Sequence, residues 1–454
     1  MIPKHYLLYS LGGFAIFFMF IMWTTSDYRN QAISLKTSLD FKPVYNNILN
    51  NNFELANKNT GIVNNDSEIV NNNAENVTST DIVIKETTRP PELTTTPKKD
   101  PMKYILIWTL PRRDPLMYLG EGQGVFIRKK CPVNNCYVTT NHSFKKLTDF
   151  DVLLFNLKEF NDKPKPNLPP ERSPHQIYVF ESIESSDYYP LCASWFDNYF
   201  NLTWTYKLDS DIYYGYMIIR NKQGEIIGPN AVMHWENLEN MDPIDDKIKE
   251  KLKNKNKAAA WIVSNCNAPS GRDQFVRQVQ NELKQYGLIV DIYGNCGTIK
   301  CARNIMPKCL ETVEREYYFY FSFENSFADD YVTEKLLSAL NHYTVPVVFG
   351  TANYTRFMPD GIYLNAKELG AQELAKQMSE IINDKERYYN FFKWHNHYSY
   401  HELEEVPETD FHCKLCEKVN SKEVTEGVNI HEHIREWWNP KKIRPGGCAY
   451  GMLP

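Results

Sequence analysis

Short, mostly apolar runs of strand-forming residues recur along this chain in two groups, and that pattern constrains the fold more than any other feature. The first group is Tyr104–Trp108, Val152–Phe155 and Ile177–Phe180. The second is Ala258–Ser264, Leu288–Tyr293, Tyr317–Phe323 and Val345–Gly350. Such runs lack the alternation of a half-solvated strand, so both faces of their sheets need cover. Helical segments lie between them. Arg272–Tyr286 sets Phe275, Val279 and Leu283 on one face, and another helix is expected around Thr333–Tyr343. The expected class is α/β, in two tandem units with a cleft between them.

The flanks differ in kind. From Tyr6 to Trp23 no residue is charged, a length that spans a bilayer as a helix. No small-x-small cleavage signal follows before Asp27 and Arg29, so residues 1–5 read as a cytoplasmic tail and 6–23 as an uncleaved transmembrane signal-anchor. Residues 24–100 are polar, with asparagine clusters and Thr/Pro tracts, and read as a flexible lumenal stem. The N-glycosylation sequons at Asn65, Asn76, Asn141, Asn201 and Asn353 fit that side of a membrane. Ordered chain is expected as an N-terminal α/β domain over 101–245 and a C-terminal one over 258–400. A lysine-rich, solvated linker or helix with little to pack should join them at 246–257, and a cysteine-containing extension should follow at 401–454. The net charge of −5 excludes a protein built to coat nucleic acid.

Chemistry concentrates in Tyr320–Leu340, where polar residues follow a buried strand at the edge where open α/β sheets bind ligands. Thr333 is placed as a helix N-cap, with Glu334 and Lys335 in a first turn suited to phosphate and ribose. An ordinary capped helix with an acidic first turn fits the same residues. Asp209-Ser210-Asp211 is a DxD of the sort that holds a metal on a diphosphate elsewhere, but a loop role is favoured. His412-Cys413-Lys414-Leu415-Cys416 carries a single CxxC, read as disulfide-forming within the pair or with distant cysteines. Cys131 and Cys136 could close a small loop, while Cys192, Cys266, Cys296, Cys301, Cys309 and Cys448 cannot be paired from sequence.

FENSFADDYVTEK followed by VPVVFG resembles the donor-binding signature of the α1,3/4-fucosyltransferases, glycosyltransferase family 10. WIVSNCNAPSGR at Trp261–Arg272, YVFES at Tyr178–Ser182 and NLTWTYKLDSDIYYGY at Asn201–Tyr216 are similar to further family segments. The resemblance covers most of residues 102–416. It implies a GT-B fold, two Rossmann-like domains facing a cleft, the first on the acceptor side and the second binding GDP-β-L-fucose. By motif position Arg272, Asn325, Tyr331, Glu334 and Lys335, with Ser264 and Asn265, should contact the donor. Glu334 is assigned to ribose, and Lys335 and Arg272 to phosphate. Glu181, at the end of its strand and facing the cleft, is expected to be the catalytic base, with Glu184 and Asp187 as competing choices.

The family also implies inversion without an obligatory metal, although a divalent cation could stimulate. The C-terminal extension with Trp437 and Trp438 looks more like enzymes that fucosylate the N-glycan core than like Lewis-type enzymes; both tryptophans are expected to pack the tail. The expected function is thus a Golgi type II membrane enzyme transferring fucose in α1,3 linkage to the innermost GlcNAc of glycoprotein N-glycans. Transfer to Galβ1-4GlcNAc antennae, or a non-catalytic glycan-binding relative, are the alternatives.

Overall fold

The computed structural model describes residues 101–161, 167–427 and 430–439. The signal-anchor at 6–23, the stem, Asn65, Asn76 and Cys448 lie outside these. No helix of the described residues is long and apolar enough to cross a membrane.

Each group of apolar runs forms one parallel sheet. In the first half, β1 (Lys103–Ile107), β2 (Cys136–Thr139), β3 (Val152–Asn156), β4 (Ile177–Ser182), β5 (Leu202–Thr205) and β6 (Ile212–Tyr213) are ordered β2-β1-β3-β4-β5-β6. Every pairing in it is parallel. β3 and β4 are buried along their whole lengths, as runs without alternation require.

A small antiparallel sheet follows, not anticipated from the sequence. It joins β7 (Ile218–Asn221) and β8 (Ile226–Gly228) to the much later β14 (Tyr398–His401). In the second half, β9 (Lys257–Ile262), β10 (Val290–Tyr293), β11 (Tyr317–Phe323), β12 (Val345–Phe349) and β13 (Leu364–Asn365) are ordered β10-β9-β11-β12-β13, again all parallel.

The lysine-rich segment forms a helix, and one that packs rather than one wholly solvated. Its helix α1 (Asp246–Leu252) is capped by Asp245 and buries Ile248 and Leu252 in the core of the second half. Lys255 is also buried, donating to the carbonyls of Glu314 (2.6 Å) and Tyr317 (2.8 Å). Desolvation takes its pKa down to about 7. Two apolar positions four apart within a lysine-rich run are enough to seat one helix face, which composition alone hides.

The expected helices form as α2 (Arg272–Leu283) and α3 (Glu334–Asn341). On α2 the inward residues are Val276, Val279 and Leu283, with Phe275 packed at the margin.

The end of the chain does not simply extend the second half; it returns to the first. Helix α4 (Phe411–Val419) joins the cluster of Ile105, Val152, Val179 and Trp204 on one face of the six-stranded sheet. On the other face, helix α5 (Ile434–Trp438) places Ile434 and Trp438 among Phe155, Phe180 and Tyr206. Disulfides Cys131–Cys413 and Cys136–Cys416 fasten α4 in place, so Cys131 and Cys136 do not close a loop with each other. Cys266–Cys296 bridges two loops of the second half, Cys301–Cys309 ties a loop to the helix at Met306–Glu316, and Cys192 is disulfide-bonded too.

The two α4 bridges span 282 and 280 residues and tie almost the same points. Once one is closed, the other adds only the entropy of a very short loop. Serine at Cys131 and Cys413 should therefore lower unfolding stability by roughly 2 kcal/mol, and serine at all four positions by about 7 kcal/mol, the long-loop term being lost as well. Denaturant titration of the three proteins checks this, and equal losses would show that the bridges act independently of loop length.

Candidate active site

In the second sheet, β10 lies outside β9 and β12 outside β11, so the chain leaves the β9/β11 pair in opposite directions. Such a switch point opens a crevice at the carboxyl edge. Arg272 stands on one side of it and the segment Glu324–Lys335 on the other.

Gly271, at φ 69°, turns the loop after β9 into α2 in a conformation glycine adopts without strain. Arg272 thereby enters the protein and is 3% exposed. Its Nη1 donates to the Phe323 carbonyl (2.6 Å) and Nη2 to that of Asn265 (3.2 Å), while Nε has no acceptor. Among the described residues no carboxylate is hydrogen-bonded to the guanidinium. Ser264 and Asn265 are exposed in the same loop.

Across the crevice, Glu324 is buried and accepts from the Thr333 N–H (2.9 Å) and hydroxyl (3.0 Å), with Lys335 Nζ at 3.1 Å. Thr333 holds the N-cap position of α3, but its hydroxyl serves Glu324 and Lys335 rather than the helix. Lys335 also lies 3.1 Å from Glu334, whose side chain is largely exposed. Desolvation works against the Lys335 charge, but Glu324 and Glu334 hold it protonated. Glu324 was not singled out by sequence reasoning. A lone acid inside an otherwise aromatic strand end (Tyr320-Phe321-Ser322-Phe323-Glu324) was the available signal.

Asn325 is half-buried, its side-chain oxygen accepting from the Ser326 hydroxyl (2.9 Å). Tyr331 departs from expectation. It is buried in the aromatic cluster of the first half, its ring 4.9 Å from Tyr206 and its hydroxyl 3.4 Å from Glu184, so its donor contact is not preformed.

The loops after β4 and β11 meet. The Ser185 and Ser326 hydroxyls are hydrogen-bonded, and Phe327 N–H donates to Asp187 (3.3 Å). Glu181, on β4, is flanked in register by Asn156 of β3 and Trp204 of β5. It sits at the expected strand end and is 0% exposed. Asn156 Nδ2 donates to its Oε2 (2.5 Å), and Oε1 is buried without a partner. Burial pushes the carboxyl well above the glutamate range; the Asn156 bond opposes this and Asp114 adds to it. Asp114 too was missed, having no motif to mark it.

Comparison with known proteins now adds to this geometry. The family model "Fucosyltransferase, N-terminal" matches residues 100–217, and "Glycosyltransferase family 10 (fucosyltransferase) C-term" matches 252–437. The chain is 32% identical to Alpha-(1,3)-fucosyltransferase C of Drosophila melanogaster over 68% of its length and 70% of that protein. The chain belongs to glycosyltransferase family 10, the fucosyltransferases. It is 28% identical to Glycoprotein 3-alpha-L-fucosyltransferase A of Drosophila melanogaster, spanning 72% of this chain and 58% of that one. It is 31% identical to a human 3-galactosyl-N-acetylglucosaminide 4-alpha-L-fucosyltransferase, over 57% of this chain and 64% of that one. A crystal structure of an α1,3-fucosyltransferase with GDP-fucose aligns at 15% identity and TM-score 0.43, over 72% and 94% of the two chains.

Within this family 10 chain the DxD is a structural corner. Asp211 accepts from Thr203 N–H and hydroxyl (both 2.8 Å) and faces His431 (2.9 Å), while Asp209 accepts from Trp437 Nε1 (2.9 Å). The loop is nearer the donor segment than expected, since Leu208 N–H reaches Asp330 (3.3 Å). Trp438 packs edge-on against Phe180, and Lys207 lies over Trp437. Among the described residues Glu404, Asp410 and His412 come close enough to suggest a metal, but the Lys129 ammonium already sits 2.8 Å from Asp410 and 3.5 Å from Glu404. Of the described sequons, Asn141 and Asn353 are exposed. Asn201 is buried, its Oδ1 accepting from Tyr178 N–H and Arg172.

Because the Glu181 pKa is raised in the folded protein, its neutral form is the one folding favours. That stability is complete below the unfolded glutamate value and is lost as pH rises through the folded value. Glu181→Gln, neutral at every pH, should melt above the wild type at alkaline pH and close to it near pH 4. A difference that stayed constant with pH would show that the carboxyl does not titrate in the fold.

Proposed function

We propose that this chain transfers L-fucose from GDP-β-L-fucose, with inversion, to O3 of an N-acetylglucosamine, the two α/β halves acting as the facing domains of a GT-B enzyme. The observation that carries the reading is a buried guanidinium to which, among the described residues, no carboxylate is hydrogen-bonded, at the switch point of the second sheet and with an ammonium across the crevice. A diphosphate meets those needs, since its oxygens accept from Arg272 and Lys335 while the exposed Glu334 can take ribose hydroxyls. The same cations stabilise charge as GDP leaves, so no acid need protonate the leaving group. Glu181 supplies the base, and its raised pKa makes it a stronger proton acceptor than an ordinary glutamate.

For the acceptor we favour the Asn-linked innermost GlcNAc of N-glycans. Supporting this are the similarity to Glycoprotein 3-alpha-L-fucosyltransferase A and the chain end that returns over the first half. Antennary Galβ1-4GlcNAc is the second reading, favoured by the similarity to the galactosyl-N-acetylglucosaminide enzymes. We place the enzyme in the Golgi membrane through the segment at 6–23.

The full-length chain in detergent should transfer fucose to a core-type glycopeptide with or without EDTA. Transfer to N-acetyllactosamine alone would overturn the acceptor choice, and transfer to neither would overturn the activity. Lys335→Ala should raise the KM for GDP-fucose by roughly tenfold to a hundredfold, the worth of a charged hydrogen bond. Glu181→Gln should abolish turnover while GDP still binds, and an unchanged rate in it would remove Glu181 as the base.

A further inference from the structure

Strand β3 reads Val152-Leu153-Leu154-Phe155-Asn156, four apolar residues and then an amide, and all five are buried. Parallel pairing sets Asn156 directly beside Glu181, and residues in register on neighbouring strands share a face of the sheet. The Asn156 amide is not free to turn over. Its Oδ1 accepts from Glu159 N–H (3.4 Å), and its backbone N–H is held by the Thr109 hydroxyl (3.0 Å). The end aimed at Glu181 Oε2 is therefore the NH2 group, which only donates. A proton cannot sit between that group and Oε2, so a proton on Glu181 belongs on Oε1, the oxygen left without a partner.

We infer that Asn156 is a positioning residue for fucosyl transfer, fixing the Glu181 carboxylate so that Oε1 alone receives the proton of the acceptor hydroxyl. The inference rests on Glu181 being the base. In the step, that proton passes to Oε1 as the acceptor oxygen uses its electron pair to bond C1 of fucose. The C1–O bond to the diphosphate breaks, and GDP leaves with the bonding pair.

Asn156 also favours the ionised carboxylate, because its hydrogen bond is strongest to a negative oxygen. The other groups around Glu181 do not help in this. Asp114, from the loop after β1, disfavours the charge; Trp204 on β5 carries none; the Tyr214 hydroxyl beyond β6 is within electrostatic reach and is itself pushed up, by burial first and then by Asp114 and Glu181. Among the described residues Asn156 is the hydrogen-bond donor this carboxylate has.

The test uses the full chain with Asn156→Ala and Asn156→Asp, reading GDP affinity and the pH profile of kcat/KM with GDP-fucose and acceptor. Both variants should bind GDP as the wild type does. The acidic limb of Asn156→Ala should move up by about one pH unit, so that about tenfold less base is ionised below it, with recovery in alkaline buffer. In Asn156→Asp, of nearly the same shape, two adjoining carboxyls compete for ionisation and the limb should move further. A limb left in place in the variant that folds, with activity lowered evenly at all pH values, overturns the positioning role. Glu181→Gln is measured alongside. Near-normal turnover in it refutes the base assignment itself, whereas an inactive Glu181→Gln with an unmoved Asn156 limb refutes only the inference made here.

Discussion

The interaction on which the second half turns is the burial of Arg272. A guanidinium removed from water loses far more hydration than two carbonyl contacts return, and here those carbonyls, of Phe323 and Asn265, are its hydrogen-bond partners. Desolvation accordingly draws its pKa down despite Glu324 and Asp273 nearby. The fold tolerates this because Phe323 ends a strand buried on both faces and the Gly271 turn fixes where α2 begins. The result is positive charge held in place before any ligand arrives. An anion bound there gains most of the electrostatic energy without first having to organise the site.

Glu324 makes the opposite side rigid by different means. Its buried carboxylate fixes the Thr333 backbone and hydroxyl and the Lys335 ammonium together, so the first turn of α3 cannot shift without unpairing a buried charge. Arg272 is thus a cation short of anions, while Lys335 is a cation already balanced. A diphosphate bridging them would draw mainly on the first for new stabilisation and on the second for register.

Much of this layout could be read from the residues. Strand positions were legible because fully apolar runs such as Val345–Phe349 have few alternatives to a covered parallel strand. The donor segment was legible because its polar residues follow such a strand directly. What could not be read was long-range pairing. Nothing in the spacing of Cys131 and Cys136 tells that each waits some 280 residues for its partner, nor that Tyr398–His401 should pair with Ile218–Asn221. Burial was also hidden. Glu181 was placed at the right strand end, but its enclosure depends on β3, β5 and the loop holding Asp114, which only the assembled sheet brings together.

The returning chain end links these observations. Helix α4 covers one face of the first sheet and α5 the other, and the latter's Trp438 packs on Phe180, the neighbour of Glu181 in β4. The segment just before α5 and α5 itself also occupy both acids of the DxD, through His431 and Trp437. These residues therefore back the strand that carries the proposed base from the opposite face of the sheet, and they fix the DxD corner. A carboxyl is kept dry and basic only where its surroundings are closed, and around Glu181 that closure comes from β3, β5 and the loop holding Asp114, on a sheet whose two faces the returning helices cover.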